Sequence, residues 1–167
     1  MASTHNSVRE ELDKWFSGAR KVVIAGIGNP VRMDDFAGVK IAQNLQGKVS
    51  EKVHLIECET VPESFIQQIV DFDPSHILLI DAALLGLKPG SSRIVEPAQV
   101  AAYAAYSTHT LPLRIFCEYL AKTTKAKIAL LLIEPKETDF GEGLSSEVGA
   151  STQQITSILL DILGALT

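Results

Sequence analysis

The stretch at residues 26–38, which contains Gly26, Gly28, Asn29, Asp34, Asp35 and Gly38, constrains this chain more than any other. Before it, Val22, Val23 and Ile24 are the β-branched residues of a buried parallel strand. After it, Ala37, Ile41 and Leu45 recur at helical spacing. The stretch is therefore a strand-to-helix turn, and in an open α/β sheet such turns line the crevice at the carboxyl ends of the strands, where ligands bind. Gly26 and Gly28 match the first two positions of the dinucleotide fingerprint GxGxxG, but the third position holds Val31. Asp34 and Asp35 then open the helix, where a pyrophosphate needs bare N–H groups. Carboxylates there repel phosphate; they suit a cationic ligand, or simply complement the helix macrodipole as caps.

The rest of the chain alternates between the two periodicities. Ser7 and Glu10 form a capping-box pattern ahead of Val8, Leu12, Trp15 and Phe16, which predicts an amphipathic helix ending near Gly18. The helix after the glycine turn should run from about Asp34 to Gln46, followed by a strand over residues 53–57. Thr60 and Glu63 suggest a second capping box, with Phe65, Ile66, Ile69 and Val70 as the buried stripe. Residues 76–80 form a third apolar strand that ends in Asp81. A turn at residues 87–90 leads to a short strand at residues 93–95, with no helix between to make a parallel crossover. Residues 98–110 read as a loop or weak helix over the site. Leu113, Phe116, Cys117 and Leu120 mark the next helix, and residues 127–133 a central strand. Ser145 caps a final helix with Val148, Ile155, Leu159, Ile162 and Leu166 on its face. The one stretch expected to be flexible is residues 135–143. The expected fold is a three-layer α/β/α sandwich around a mixed, mostly parallel sheet of about five strands with one antiparallel strand.

With 167 residues, 46% hydrophobic and 21% charged, the chain has the size and composition of one soluble globular domain. A net charge of −5 without a basic block argues against nucleic acid as partner. Cys58 and Cys117 form no CxxC pair, which leaves no cysteine metal site or disulfide framework and fits a cytoplasmic setting. No secretory leader precedes the first helix, and no run approaches about 18 uninterrupted apolar residues, so membrane insertion is not expected.

Asp35 and Asp81 both fall at carboxyl ends of parallel strands, so the topology can bring them together. Two ionised carboxylates about 4 Å apart repel by roughly 4 kcal/mol at an effective dielectric near 20. A shared proton offsets that, and so does a divalent cation, for which His109 supplies a third ligand of borderline character suited to nickel or zinc. His54 and His76 lie within strands and read as structural. Cys58 sits between Glu57 and Glu59, whose charges disfavour a thiolate. Ser107 is in no GxSxG elbow, and HExxH is absent.

Together, the glycine turn with Asp34, Asp35 and Gly38, the strand ending in Asp81, and the run Ser107, Thr108, His109, Thr110, Leu111, Pro112, Leu113 closely resemble the NiFe-hydrogenase maturation proteases of the HycI type. The resemblance covers the chain from about Lys21 to the final helix, leaving residues 1–20 outside it. It implies an endopeptidase that removes the C-terminal extension of the hydrogenase large-subunit precursor after nickel insertion. Asp35, Asp81 and His109 would be both its catalytic and its metal-contacting residues. The nickel would be substrate-borne, with another divalent metal possible for the isolated protein, and a monomer is expected. Two departures, Phe36 in place of glycine and Glu134 in place of glutamine, bear on the shape of the substrate groove. The rival expectations are a non-catalytic nickel chaperone and a nucleotide-binding oxidoreductase using Glu57 or Glu59.

Overall fold

A computed structural model describes residues 4–99 and 110–166. Five strands, β1 (Val22–Ile27), β2 (Val53–Glu59), β3 (His76–Ala82), β4 (Ser92–Val95) and β5 (Lys127–Ile133), form one sheet in the order β2-β1-β3-β5-β4. The pairs β1–β2, β1–β3 and β3–β5 are parallel, and β4 runs antiparallel to β5. The expected mixed sheet with a single antiparallel strand is thus present. The middle position belongs to β3, not β5, although β5 is interior as well. The connection from β3 to β4 crosses the end of β5 rather than forming a hairpin with β3.

Strict alternation along the strands divides the core in two. Val22, Ile24, Leu78, Ile80, Ala129, Leu131 and Ile133 face one layer, made by α1 (Thr4–Trp15), α2 (Ala37–Leu45) and α5 (Ser146–Leu163). Val23, Ala25, Ile27, Ile77, Leu79, Leu130 and Leu132 face the other, made by α3 (Ile66–Phe72) and α4 (Thr110–Thr123). The apolar stripes read from the sequence are the buried ones: Val8, Leu12, Trp15 and Phe16 of the first segment, and Val148, Ile155 and Leu159 of the last.

Several boundaries differ from expectation because backbone bonding, not side-chain pattern, sets them. The first helix starts at Thr4, so Ser7 lies inside it rather than at its N-cap. Met33–Phe36 and Pro62–Phe65 are 3₁₀ turns ahead of α2 and α3, and neither has a side-chain cap; the Thr60–Glu63 capping box does not form. Ser145 does cap α5, accepting from the Val148 N–H at 3.5 Å. The last turns of β1 and β2 slip in register between Gly26 and Ile27.

His76 is embedded on the α1 side of the sheet, 3% exposed, with Trp15 edge-on at 5.0 Å and Phe16 stacked at 6.1 Å. The Ser75 hydroxyl donates to the Lys21 carbonyl, so the contact of 2.9 Å between Ser75 Oγ and His76 Nδ1 requires the ring to donate from Nδ1. Nε2 is then a buried lone pair with no hydrogen-bond partner among the described residues. Burial, and then the Lys127 and Arg20 charges, hold the imidazole below its ordinary pKa, against the smaller opposing pull of the Trp15 backbone. Above about pH 6.5 the ring is neutral folded and unfolded, and its contribution to stability is complete. Below that value the unfolded chain takes up a proton that the folded chain resists, so stability is lost at up to about 1.4 kcal/mol per pH unit. Urea midpoints measured from pH 7.5 to 5 should fall below pH 6.5 in the wild type, and His76→Phe should flatten that portion of the profile.

Candidate active site

The site is built on a close approach of backbones. A Cβ at Gly26 would overlap the Gly38 carbonyl, one at Gly38 would overlap the Ile80 carbonyl, and one at Gly28 (φ 144°) would overlap the Asp35 carbonyl. Only glycine permits all three contacts. They press the start of α2 onto the seam between β1 and β3, so the turn carrying Asp35 meets the end of β3, where Asp81 directly follows Ile80. The two carboxylates therefore lie at the carboxyl ends of adjacent parallel strands, as the topology argument expected. Both are buried, Asp35 at 7% and Asp81 at 0% exposure. Asp35 Oδ2 accepts from the Asn29 N–H at 3.0 Å, and Asp81 Oδ1 from the Ala82 N–H at 2.9 Å. His109 lies outside the described residues, as does most of the expected covering segment. Among the described residues, no group of three or more potential ligands is close enough to hold a metal ion.

The glycine turn has no N–H left for a phosphate. Gly28 donates to the Glu59 carbonyl, Asn29 to Asp35 Oδ2, and Val31 to Asn29 Oδ1. Arg32 donates to the Asn29 carbonyl, Met33 to Gly141, Asp34 to Glu137 and Asp35 to Arg32. Pro30 has no N–H to offer. A nucleotide pyrophosphate would have to break this network, and Glu57, one of the two suggested ribose ligands, is engaged by Gln43 Nε2 at 2.8 Å. The geometry argues against the dinucleotide reading.

Asp34 and Asp35 have different tasks, which their adjacency in sequence does not show. Asp34 is fully buried and points away from the crevice. Its Oδ2 accepts from the Lys136 N–H (2.8 Å), the Glu137 N–H (2.9 Å) and the Ser145 hydroxyl (2.8 Å), and its Oδ1 from the Ser145 N–H (2.7 Å). The side chain caps no turn of its own. It straps residues 135–145 to the glycine turn, and the Arg32–Gly141 bridge and the bond from Arg32 Nε to the Thr138 carbonyl (3.1 Å) hold the same segment. Residues 135–143, expected to be flexible, are tied along their length. The signal available in the sequence was two acids at consecutive positions, which cannot both face one crevice.

Glu134 is a second residue that the sequence reading undervalued. It is 4% exposed, and its Oε1 accepts from the N–H groups of both Leu85 and Leu87 at 2.8 Å, which shapes the connection leaving Asp81. A glutamine carbonyl can accept the same two bonds, so the Gln-to-Glu departure leaves this contact intact. Backbone strain is also found here: Met33 (φ 47°), in the turn after β1, and Glu59 (φ 52°), the last residue of β2, are left-handed non-glycine residues. The cysteines take no part. Burial foremost, and then the charges of Glu63 and Glu118, push the thiols of Cys58 and Cys117 up to about 12, so neither is a nucleophile near neutral pH. For Cys58 the expected outcome holds, but burial outweighs the flanking acids that the sequence suggested.

A tightly glycine-packed α/β/α sandwich presenting two carboxylates at its strand edge is the architecture of a known class of processing proteases. The profile of the HycI family, hydrogenase maturation protease, matches residues 39–162. The chain is 36% identical over 163 residues to a candidate hydrogenase maturation protease of Methanocaldococcus jannaschii, covering 93% of this chain and 95% of that one. It is 30% identical over 118 residues to the hydrogenase 3 maturation protease of Escherichia coli K12, covering 71% and 75%. The crystal structure of a NiFe-hydrogenase maturation protease HycI from Thermococcus kodakarensis superposes with a TM-score of 0.86 at 34% identity, covering 92% of this chain and 99% of that one. This chain belongs to the hydrogenase maturation protease family.

The Asp34 strap can be tested apart from catalysis. Asp34→Ala leaves three N–H donors and a hydroxyl without their acceptor, and should lower unfolding free energy by about 3–5 kcal/mol in urea titrations. Glu134→Gln should unfold within about 1 kcal/mol of wild type, because the accepting oxygen survives, whereas Glu134→Leu should be clearly destabilised.

Proposed function

We propose that this protein is the endopeptidase that removes the C-terminal extension of a NiFe-hydrogenase large-subunit precursor once nickel has been inserted, acting in the cytoplasm as a one-domain monomer. The observation that carries the reading is the pairing of family membership with two buried carboxylates at adjacent strand ends, beside a glycine turn whose N–H groups are all engaged. No helix among the described residues is long and apolar enough to cross a membrane, and the net charge of −5 gives no footprint for nucleic acid.

In this reading the nickel arrives as part of the substrate, and Asp35, Asp81 and His109 recognise it by completing its open coordination positions. Docking then depends on correct insertion. Hydrolysis follows from water attack on the scissile carbonyl. A carboxylate of the Asp35–Asp81 pair accepts the water proton as the C–O bond forms, and returns it to the leaving amine as the C–N bond breaks. Raised thiol pKa values and the missing serine elbow leave no described nucleophile for an acyl-enzyme route.

Incubation with nickel-loaded and nickel-free precursor, read by mass spectrometry, tests the reading. Only the loaded precursor should lose its extension, and Asp35→Asn, Asp81→Asn and His109→Ala should each slow cleavage at least about hundredfold without loss of fold. Cleavage by the Asp81→Asn protein at the wild-type rate would sink the residue assignment. Binding of the loaded precursor with no mass change would favour a nickel chaperone instead.

The isolated protein should bind nickel weakly, because two carboxylates and one imidazole without a soft donor leave several positions to water. Calorimetry showing tight stoichiometric binding would contradict a substrate-borne metal.

A further inference from the structure

Among the described residues, the exposed large hydrophobic side chains are Val31, Val61, Leu84, Ile115, Tyr119 and Phe140. Scattered exposed apolar residues need no explanation. Ile115 and Tyr119 lie on α4, but the other four are not scattered. Val61, Val31, Leu84 and Phe140 lie in the loops that leave β2, β1, β3 and β5, one for each parallel strand, at the edge that holds Asp35 and Asp81. The loops of Val31 and Phe140 lead to α2 and α5 in one layer. That of Val61 leads to α3 in the other layer, and that of Leu84 sends Leu85 into the same core. The apolar positions therefore flank the two carboxylates from both layers.

Phe140 is the extreme case, 83% exposed, yet it is not on a loose loop. The Gly141 N–H donates to the Val31 carbonyl (3.0 Å), the Met33 N–H donates to the Gly141 carbonyl (3.2 Å), and the Arg32 guanidinium lies 5.6 Å from the Phe140 ring centroid. Together with the Asp34 strap, these bonds make Val31, Arg32 and Phe140 a preformed ledge. An aromatic ring held in water by an ordered loop is an unfilled contact. The exposed charges at this edge are mostly acidic: Glu59, Glu63, Glu137, Asp139 and Glu142, against Arg32 beside the ring and the exposed Lys88 and Lys136, and Lys136 is already bonded to Glu147 at 2.9 Å.

The geometry points to a docking rim, with Phe140 and Val31 as its anchor, for the precursor segment around the scissile bond, an extended chain carrying apolar and basic side chains. This rests on the proteolytic reading above and assigns where that substrate is gripped. Apolar side chains of the segment cover the rim, and its cations meet the acidic loops. Selection for such a segment is then made by surface loops, separately from the test for nickel made by the buried carboxylates.

Two measurements test the rim, one with turnover and one without. In steady-state cleavage of nickel-loaded precursor, Phe140→Ser should raise KM about tenfold, with kcat within about twofold, since the ring lies off the reacting atoms. Val31→Ser should add to it, and their exposure predicts unchanged thermal unfolding. In fluorescence anisotropy with a labelled peptide spanning the cleavage region, Phe140→Ser and the charge reversal Asp139→Lys, Glu142→Lys should each weaken binding about tenfold, and raised salt should weaken it in the wild type. Equal peptide affinity for wild type and Phe140→Ser, or no peptide binding at all, would overturn the rim. So would a dimer in sedimentation that Phe140→Ser dissolves, which would assign this face to a second copy of the chain. Phe140-dependent peptide binding by a wild type that never cleaves precursor would instead fault the proteolytic reading and leave the rim standing.

Discussion

The absence of side chains at Gly26, Gly28 and Gly38 is the constraint on which the rest of the site depends. It lets α2 rest on the carbonyls of β1 and β3 at a distance that a single methyl group would forbid. From that contact the remaining arrangement follows in steps. The turn must close tightly, so its N–H groups are consumed internally; Asp35 is drawn over Asn29; Asp34 is turned inward; and the inward carboxylate finds its donors on the segment after β5. The start of α5, more than a hundred residues along the chain from Asp34, is positioned through Ser145 by the same side chain.

This hierarchy explains how adjacent acids in one turn can differ so completely in role. Asp34 accepts bonds from three N–H groups and a hydroxyl, which makes it a fixed point of the scaffold. Asp35 shares the crevice with Asp81, whose strand is anchored on both sides within the sheet. A rigid strand end and a glycine-locked turn are suitable mounts for carboxylates that, in the proposed reading, hold their positions while substrate binds. The left-handed Met33 lies in that turn and the left-handed Glu59 ends the neighbouring β2, and the bonds from Met33 N–H to Gly141 and from Gly28 N–H to Glu59 compensate for local strain.

The edge also combines two surfaces of different character. Buried acids lie within it, and exposed apolar and acidic side chains surround it. In the proposed reading, such a layout would separate chemistry from recognition, so that substitutions on the rim alter which chain is accepted without disturbing the carboxylates beneath. Departures at such positions are therefore compatible with one family and different substrates.

Most of the scaffold was legible in the sequence because period-2 and period-3.6 patterns report burial directly, and burial is what the sheet and helices share. Val22 to Ile24, the stripe of α5 and the missing helix between β3 and β4 each specified their place without reference to the rest of the chain. The positions of Asp35, in the turn after β1, and of Asp81, at the end of β3, were legible too, since a strand's carboxyl end is a local property. What the sequence could not contain was the partner of each buried polar group. Asp34 looked like a helix cap, Glu134 like an incidental replacement, and residues 135–143 like a flexible loop, because hydrogen bonds spanning 47 to 111 residues leave no periodic trace. Three glycines within thirteen residues showed that something had to come close, and only the tertiary structure decided that it was the protein's own backbone rather than a phosphate.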